Sequence, residues 1–427
     1  MRFKITTLGC KVNQYDSQMM RDMLVSKGFE SCTENDSADV CILNTCTVTA
    51  ESDKKNRQAL RRMKRDNPDA VIVLTGCMTQ ASPETTDALP EADIVIGNSN
   101  RTEIPALIEK YCRTKERLVK IVPHSAQYGE NGQIASFNER TRAMIKIEDG
   151  CNNFCSYCMI PYARGRVRSR SIESIKAEIA SLSPDFCEVV LVGINLSAYG
   201  KDIGLSLFDA VDAVCADEKI KRVRLGSIEP DLLSEETIRR LAAQPKFCPQ
   251  FHLALQSGCD ETLKRMNRHY DTAFYRNIVR SIRDNFENPS ITTDIMVGFP
   301  GETDEEFAAS LAFAEEIAFA RAHVFSYSRR PGTRADKMPG QLLNAVKDSR
   351  SAQMIAATEK SADAFRLSQV GKTCFFLPET EIAEGIYDGY SENYTSLHVA
   401  LSTPTKQPVK VLITKACDGY CEAEAIN

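Results

Sequence analysis

The chain has 427 residues, 43% of them hydrophobic and 26% charged, with a formal net charge of −5. At roughly 100–200 residues per domain, this length predicts two to four domains, and the composition excludes a disordered or fibrous protein. The charge argues against a protein that coats nucleic acid passively. The first residues carry no signal-peptide core, and no apolar run approaches the roughly 20 residues of a membrane span. We therefore expect a cytoplasmic protein without a membrane partner.

The chain contains 16 cysteines, an unusually large number. Cysteine clusters in a chain without a targeting signal more often bind metal or do chemistry than form disulfides. In the first third, three short β-branched runs at 3–8, 40–43 and 71–74 each lead to a cysteine. Helix-like stretches at 13–26 and 50–65 separate these runs, and strands that alternate with helices predict a parallel sheet.

The cysteines that follow these three strands are Cys10, Cys46 and Cys77. Loops that leave the carboxyl ends of parallel strands gather at one edge of the sheet, so we expect the three thiols to converge there. Three thiolates on a four-iron cluster leave one iron open to a second ligand. The alternative interpretation is three small buried apolar side chains.

The helix predicted at 50–65 is rich in basic residues. Its cations would suit a phosphate backbone, but acidic residues accompany them, so a solvated helix face explains the pattern equally well. The basic residues are Lys54, Lys55, Arg57, Arg61, Arg62, Lys64 and Arg65.

The centre of the chain carries the most specific motif. Cys151, Cys155 and Cys158 have the spacing C-x3-C-x2-C, and one tight loop with three thiolates can hold three irons of a four-iron cluster. A zinc site would need a fourth ligand nearby, and the nearest histidines in the sequence, His124 and His252, are distant.

Six strand-like runs, at 144–148, 187–195, 222–229, 251–256, 291–299 and 322–328, alternate with amphipathic helical stretches. Six parallel strands predict a partial (β/α)6 barrel, with ligands bound at the carboxyl ends of the strands. Candidate cofactor contacts at those ends are Gly193, Asn195, Ser227, Glu229 and Gln256. Turn formation and helix capping are equally good explanations for each of these residues. Between the first two strands, alternating arginines at 164, 166, 168 and 170 are candidate phosphate contacts.

The last sixty residues change to short strands with turns, at 373–377, 385–390, 397–400 and 409–413, which predicts a small β-barrel. Tyr387, Tyr390 and Tyr394 would either stack on bases or fill the barrel. Acidic residues outnumber basic ones in this region, which makes it a poor phosphate cradle.

The C-x3-C-x2-C loop resembles that of the radical S-adenosylmethionine (SAM) enzymes. That resemblance implies that the fourth iron binds SAM, whose reductive cleavage yields a radical that removes a hydrogen atom. Tyr157, just before the last cysteine, matches an aromatic residue that would pack on the adenine of SAM, with simple packing as the alternative.

Two cysteine trios followed by a small β-barrel resemble the radical SAM methylthiotransferase family over essentially the whole chain. The stretches TLGCKVNQYD at 7–16 and EDGCNNFC at 148–155 are most similar to the MtaB-type branch, which acts on threonylcarbamoyladenosine next to the tRNA anticodon. Further support comes from RGRVRSR at 164–170, MNR at 266–268 and YSRRPGT at 327–333. Ala254 departs from the family pattern, which usually has proline there.

The resemblance implies an α/β fold with three domains. A methylthiotransferase domain at 1–125 would hold an auxiliary cluster on Cys10, Cys46 and Cys77, and a radical SAM domain at 140–366 would hold the second cluster on Cys151, Cys155 and Cys158. A TRAM-like barrel at 367–427 would follow. The implied cofactors are two [4Fe-4S] clusters and SAM, which serves once as methyl donor and once as radical source.

The implied reaction places a methylthio group on C2 of threonylcarbamoyladenosine in tRNA. The implied partners are tRNA and an electron donor such as flavodoxin or ferredoxin, and the sulfur donor is not identified. Alternative substrates are a ribosomal-protein aspartate and isopentenyladenosine in tRNA. A different class of hypothesis is a non-catalytic iron–sulfur or zinc module that binds RNA.

Overall fold

The computed structural model describes residues 1–33, 36–129 and 141–426. The first part is a six-stranded, wholly parallel sheet with flanking helices, which confirms the predicted arrangement. Its elements are β1 (Arg2–Thr7), α1 (Lys11–Ser26), β2 (Glu30–Ser31), β3 (Val40–Thr45), α2 (Ala50–Asp66), β4 (Val71–Gly76), α3 (Cys77–Ala81), β5 (Ile94–Ile96), α4 (Ile104–Thr114) and β6 (Leu118–Lys120). The strand order is β2-β1-β3-β4-β5-β6. Strands β3 and β4 are buried on both faces, as continuous apolar runs in a parallel sheet require.

The central part contains all six predicted strands, in parallel and in chain order, so the predicted partial barrel is confirmed. Its elements are β7 (Arg142–Lys146), β8 (Glu148–Asp149), α5 (Ile160–Arg164), β9 (Arg168–Ser169), α6 (Ile172–Ser181), β10 (Glu188–Val192), α7 (Leu207–Cys215), β11 (Arg222–Leu225), β12 (Ser227–Ile228), α8 (Glu235–Ala242), β13 (Gln250–Leu253), α9 (Asp260–Arg265), α10 (Thr272–Asn285), β14 (Ser290–Val297), α11 (Asp304–Ile317), β15 (Arg321–Ser326) and α12 (Asn344–Gln369). Short 3-10 turns lie at Pro83–Ala88, Arg101–Glu103, Leu196–Ala198, Pro230–Leu232 and Ala335–Lys337.

The third barrel strand is interrupted, in contrast to the continuous run predicted at 222–229. It divides at Gly226 into β11, which pairs with β10, and β12, which pairs with β13. The amide of Gly226 still donates to the Leu191 carbonyl on β10, at 2.9 Å. The barrel wall therefore consists of a three-stranded and a four-stranded sheet joined at this point.

The C-terminal part is a closed barrel of five strands, which confirms the predicted small β-barrel. Its strands are β16 (Thr373–Ala383), β17 (Ile386–Tyr390), β18 (Ser396–Ala400), β19 (Val409–Ala416) and β20 (Cys421–Ala425). The sequence analysis missed β20 because its CEAEA sequence alternates small and acidic residues rather than β-branched ones. Strand β20 closes the barrel by pairing with β18 and β19.

The acidic barrel docks against basic residues at the amino-terminal ends of the central strands. Glu379 pairs with Arg142 at 2.6 Å, and Glu392 lies 4.0 Å from Arg222. Tyr390 and Tyr394 stack on each other with ring centroids 4.2 Å apart, beneath the Arg142 guanidinium. Part of the acidic charge therefore serves the contact between domains, where it is complementary to arginine.

Among the described helices, none has an apolar stretch long enough to cross a membrane. The predicted start of the central domain at residue 140 lies outside the described residues.

Candidate active site

Cys10, Cys46 and Cys77 lie just beyond the carboxyl ends of β1, β3 and β4, three neighbouring strands of the first sheet. Glycines precede two of them, and both Gly9 and Gly76 have positive φ angles, of 115° and 111°. A Cβ on Gly76 would lie 2.4 Å from the Thr45 amide nitrogen, and one on Gly9 would lie 2.9 Å from the Cys46 Cβ. Only glycine lets these loops approach so closely.

Asn13, which the sequence analysis did not identify, ties these loops together from the first turn of α1. Its fully buried amide donates to the carbonyls of Leu8 and Thr45, at 2.8 and 2.9 Å. Its Oδ1 lies 3.9 Å from the Cys10 Sγ and 3.8 Å from the Cys77 Sγ. One side chain therefore holds two strand ends and faces two of the three thiols.

The buried Arg164 guanidinium also contacts this trio of thiols and the residues around it. It donates to the Cys77 Sγ at 3.3 Å, to Asn13 at 2.5 Å and to Asp16 at 2.8 Å. Burial raises the pKa of the Cys10 and Cys46 thiols, and Arg164 opposes the rise at Cys10. Metal binding deprotonates such thiols, so loading of this site would release protons.

Cys151, Cys155 and Cys158 share one tight loop. The Cys158 amide donates to the Cys155 carbonyl at 2.9 Å, and the Arg268 guanidinium donates to the Cys155 Sγ at 3.2 Å. Burial raises the pKa of the Cys151 thiol to about 12 and also raises the pKa values of the other two. As in the first trio, a buried arginine contacts one thiol of the three.

Neither trio has the geometry of a mononuclear site. Within the described ranges, no group of three His, Cys, Asp or Glu side chains is arranged to hold one metal ion. Each thiolate of a four-iron cluster binds a different iron, so the three thiols need only surround a common space. The cysteines within each trio lie close enough to interact electrostatically. The residues present therefore fit a cluster in each trio.

The short helix α5 links the two trios. The Ile160 amide at its start donates to the Cys158 Sγ at 3.4 Å, and Arg164 at its end contacts Cys77. Five helical residues span about 7 Å. The two trios are therefore neighbours at the carboxyl edge of both sheets, although their cysteines are far apart in the sequence.

Two of the predicted cofactor contacts present buried acceptors without a partner among the described residues. These atoms are the Asn195 Oδ1 and the Gln256 Oε1. The side-chain amide nitrogen of Asn195 lies 3.7 Å from the Cys151 Sγ. Gln256 has a positive φ of 65° just beyond the end of its strand. Buried polar atoms normally have partners, so these two fit a ligand that brings hydrogen-bond donors, such as the amino groups of SAM.

Glu229 follows β12, whereas Ser227 begins it, level with His252, Thr292 and Arg321 at the start of β15. Glu229 pairs with Arg268, the residue that also contacts Cys155. Burial raises the pKa of Glu229, and Arg268 opposes this rise. The Ser227 side chain is exposed and lines a cavity in the barrel.

Gly193 and Tyr157 make contacts within the protein. A Cβ on Gly193 would lie 2.8 Å from a carboxylate oxygen of Glu148. The same oxygen accepts a hydrogen bond from the backbone amide of Asn195 at 2.7 Å. Burial raises the pKa of Glu148 well above its usual range, and its other oxygen has no partner among the described residues. The Tyr157 ring packs edge-on against Phe299.

The arginine stretch at 164–170 is not a phosphate-binding surface, so that prediction is wrong for three of its four members. Arg164, Arg168 and Arg170 are buried. Arg164 contacts Asp16 and Asp149, and Arg170 pairs with Glu178. Arg166 alone is exposed. The buried arginines of this stretch therefore connect α1 with the central domain.

The departure at Ala254 has a local explanation. The Ala254 amide donates to the Ile228 carbonyl at 3.1 Å, a bond that proline cannot make. Its carbonyl accepts from the Tyr270 hydroxyl at 2.5 Å. The loop is therefore held by the backbone of the neighbouring strand.

Two family models match the chain in the order of its domains. The model described as "Uncharacterized protein family UPF0004" matches residues 2–97, and the model of the Radical SAM superfamily matches residues 145–314. The first range contains Cys10, Cys46 and Cys77, and the second contains Cys151, Cys155 and Cys158. Each trio thus lies inside one matched region.

Solved structures support the fold. The radical SAM methyltransferase TsrM from Kitasatospora setae has a TM-score of 0.56 and 15% identity, and the match covers 78% of this chain and 74% of that one. The cobalamin-dependent SAM radical enzyme OxsB has a TM-score of 0.51, and the match covers 83% of this chain and 56% of that one.

Curated relatives match almost the whole chain. The threonylcarbamoyladenosine tRNA methylthiotransferase MtaB of Bacillus subtilis is 36% identical over 99% of this chain and 95% of its own length. The protein of the same name from Thermotoga maritima is 38% identical over 92% of this chain and 89% of its own. A tRNA-2-methylthio-N(6)-dimethylallyladenosine synthase from Pelotomaculum thermopropionicum is 35% identical, with 92% and 90% coverage. The chain belongs to the radical SAM methylthiotransferase family.

Proposed function

We propose that this methylthiotransferase acts on tRNA and modifies C2 of N6-threonylcarbamoyladenosine next to the anticodon. The observation that carries this proposal is the convergence of Cys10, Cys46 and Cys77 one short helix away from the C-x3-C-x2-C loop. The full-length relatives named MtaB favour threonylcarbamoyladenosine as the substrate. The relative named for dimethylallyladenosine supplies the second candidate substrate.

As a radical SAM enzyme, the chain uses SAM and a [4Fe-4S] cluster. We assign that cluster to Cys151, Cys155 and Cys158 and an auxiliary [4Fe-4S] cluster to Cys10, Cys46 and Cys77. When bound, these groups supply a radical for hydrogen abstraction and a sulfur atom for transfer. A flavodoxin or ferredoxin is the proposed electron donor. The proposed SAM contacts are Tyr157, Gly193, Asn195, Ser227, Glu229 and Gln256.

The protein itself orients the two centres. Arg164 and Asn13 fix the loops around the auxiliary trio. The Arg164 N–H that meets the Cys77 Sγ would raise a cluster's reduction potential. The Arg268 N–H that donates to the Cys155 Sγ would have the same effect on the reduction potential of the other cluster, and Glu229 holds the Arg268 guanidinium in place. The unpartnered oxygens of Asn195 and Gln256 would accept from the cofactor.

We propose the exposed face of α2 as the surface that contacts tRNA phosphates. The helix carries seven basic and three acidic residues. Lys55 and Arg57 are exposed, and neither has an acidic partner among the described residues. Asp53, in the first turn of α2, pairs at 2.6 Å with Arg330 on the loop after β15. The basic face therefore begins beside the candidate active site.

The experiment is mass spectrometry of tRNA nucleosides from a strain that lacks this gene. We expect the 2-methylthio form of threonylcarbamoyladenosine to disappear and to return with the intact gene, but not with Cys77→Ala or Cys155→Ala. Loss of 2-methylthio-isopentenyladenosine instead would select the second candidate. Unchanged tRNA together with an unmodified ribosomal-protein aspartate would select a protein substrate and contradict the proposal.

A further inference from the structure

The interior of the partial barrel contains a cavity of about 560 Å³. It extends from Ser227 and Asp294 on the central strands to Tyr390 and Tyr394 of the C-terminal barrel. Its volume lies within the range of about 300–1,000 Å³ that is usual for sites of small organic ligands. Ser227, which lines this cavity, lies two residues before Glu229, one of the candidate cofactor contacts.

One wall of the cavity is cationic. Arg142 is neutralised by Glu379 at 2.6 Å and by Glu188 at 3.7 Å. Arg224 contacts Glu188 at 2.7 Å and donates to two backbone carbonyls of the C-terminal barrel. These two arginines therefore have their partners within the protein.

Lys11 differs from these arginines. Its side chain is exposed and lines the same wall, and it makes no ion pair or hydrogen bond with any described residue. Its nearest charged neighbours are the cations Arg142 and Arg224. Lys11 is thus a positive charge on this wall without a partner among the described residues, and it lies directly after Cys10 in the chain.

The opposite wall carries an anion. Asp294 lines the cavity and holds the His252 Nε2 at 3.2 Å. A ligand carboxylate is therefore attracted toward Lys11 and repelled from Asp294. Arg321 and Arg366 also line the cavity, Arg321 on the strand beside Asp294 and Arg366 paired with Asp363.

We propose that this cavity binds the threonylcarbamoyl side chain of the substrate, with its carboxylate paired to the Lys11 ammonium. The inference rests on the proposed function and explains how the site selects among modified adenosines. An isopentenyl group has no charge, so it would cover the Lys11 ammonium without giving it a partner. A site built to pair a polar group rejects an analogue that lacks it.

The test measures binding rather than turnover. Three anticodon stem-loop RNAs carry threonylcarbamoyladenosine, its carboxylate methyl ester or unmodified adenosine, and fluorescence anisotropy gives the Kd for the cluster-loaded enzyme. We expect the free acid to bind about ten-fold more tightly than the ester, the value of one charge-assisted contact. Lys11→Met should remove this preference without changing the affinity for the ester, and Lys11→Arg should keep it.

Lys27→Met, at the other end of α1, is the matched control and should retain the ten-fold preference. The iron content of each variant establishes that its clusters are intact. Equal binding of acid and ester by the intact enzyme, or an undiminished preference in Lys11→Met, overturns the inference. Either binding result leaves the proposed function standing if the deletion strain lacks the methylthio nucleoside. Persistence of that nucleoside in the deletion strain overturns the proposed function itself.

Discussion

The two cysteine trios contain the same number of thiols but arise in different ways. Cys151, Cys155 and Cys158 occupy one eight-residue loop, so the local backbone sets their spacing. Cys10, Cys46 and Cys77 come from three loops, and only the parallel sheet brings them together. The trio of Cys151, Cys155 and Cys158 can be recognised as a sequence motif, whereas the trio of Cys10, Cys46 and Cys77 exists only once the first domain has folded.

The buried arginines show a second difference. Arg268 and its partner Glu229 both belong to the central barrel, beside the trio that they support. Arg164 belongs to the central domain, yet it contacts Cys77 and Asp16 of the first domain. The auxiliary trio therefore depends on domain docking as well as on its own fold.

The most severe test removes one cysteine from each trio. Cys155→Ala and Cys77→Ala should each abolish the methylthio product and lower the iron content from about eight to about four per chain. Only Cys155→Ala should also abolish reductive cleavage of SAM, because the other trio is not assigned to that step. Cys112→Ala in α4 should keep all three properties. Full iron content in Cys77→Ala would refute the assignment of a second cluster.

The next test compares the two arginines. Arg164→Met leaves Asp16 and Asp149 with one fewer buried cation, and loss of one partner from such a network costs about 3–5 kcal/mol. Arg268→Met removes the cation of a single carboxylate, Glu229, which keeps some contact with solvent, so about 1–3 kcal/mol is expected. Thermal unfolding of the metal-free proteins measures both. Equal losses would mean that Arg164 does not couple the domains.

Local patterns were sufficient to predict the six barrel strands, the three strands before Cys10, Cys46 and Cys77, and the convergence of these thiols. The short strands β2, β5 and β6 of the first sheet were not predicted. The six barrel strands and the strands before Cys10, Cys46 and Cys77 are short runs of continuous or alternating apolar residues, and a parallel sheet follows from their alternation with helices. Strand β20 was missed because closure of the barrel, rather than its own composition, makes it a strand.

The partners of charged residues could not be predicted from such patterns. Arg164 was expected on the surface, but its partner Asp16 lies 148 residues away in the sequence. Asn13 and Lys11 were visible only as parts of a family motif. What they do depends on loops and cavities that form after the sheets pack.

A pH titration compares two carboxylates, Asp149, which pairs with Arg164, and Glu229, which pairs with Arg268. Although burial opposes it, Lys146 and Arg164 lower the pKa of Asp149 to about 2, below the unfolded value of about 3.9. Its stabilisation, about 3 kcal/mol, is therefore complete above about pH 5 and is lost progressively as the pH falls from about 5 to 1. The difference in Tm between the intact protein and Asp149→Asn should stay constant from pH 7 to 5 and shrink below pH 4.

Glu229 should behave in the opposite way. Its folded pKa lies above the unfolded one because of burial, so protonation favours the folded state as the pH falls toward 4.5. As the pH falls from 7 toward 4.5, the Tm of the intact protein should therefore rise relative to that of Glu229→Gln, in a range where Asp149 is still ionised. Parallel pH profiles for the two variants would contradict the contrast between the trios.

The smallest effect concerns the RNA surface, which we place beside the auxiliary trio rather than the central one. Each phosphate contact adds about 0.9 to the slope of log affinity against log salt for a duplex. Lys55→Gln and Arg57→Gln on α2 should therefore each lower the slope for a tRNA stem by about one and weaken binding irrespective of its sequence. Lys110→Gln on α4, a helix on the other side of the sheet, should leave the slope unchanged. If Arg166→Gln lowers the slope and the α2 variants do not, the RNA approaches from the side of the central loop.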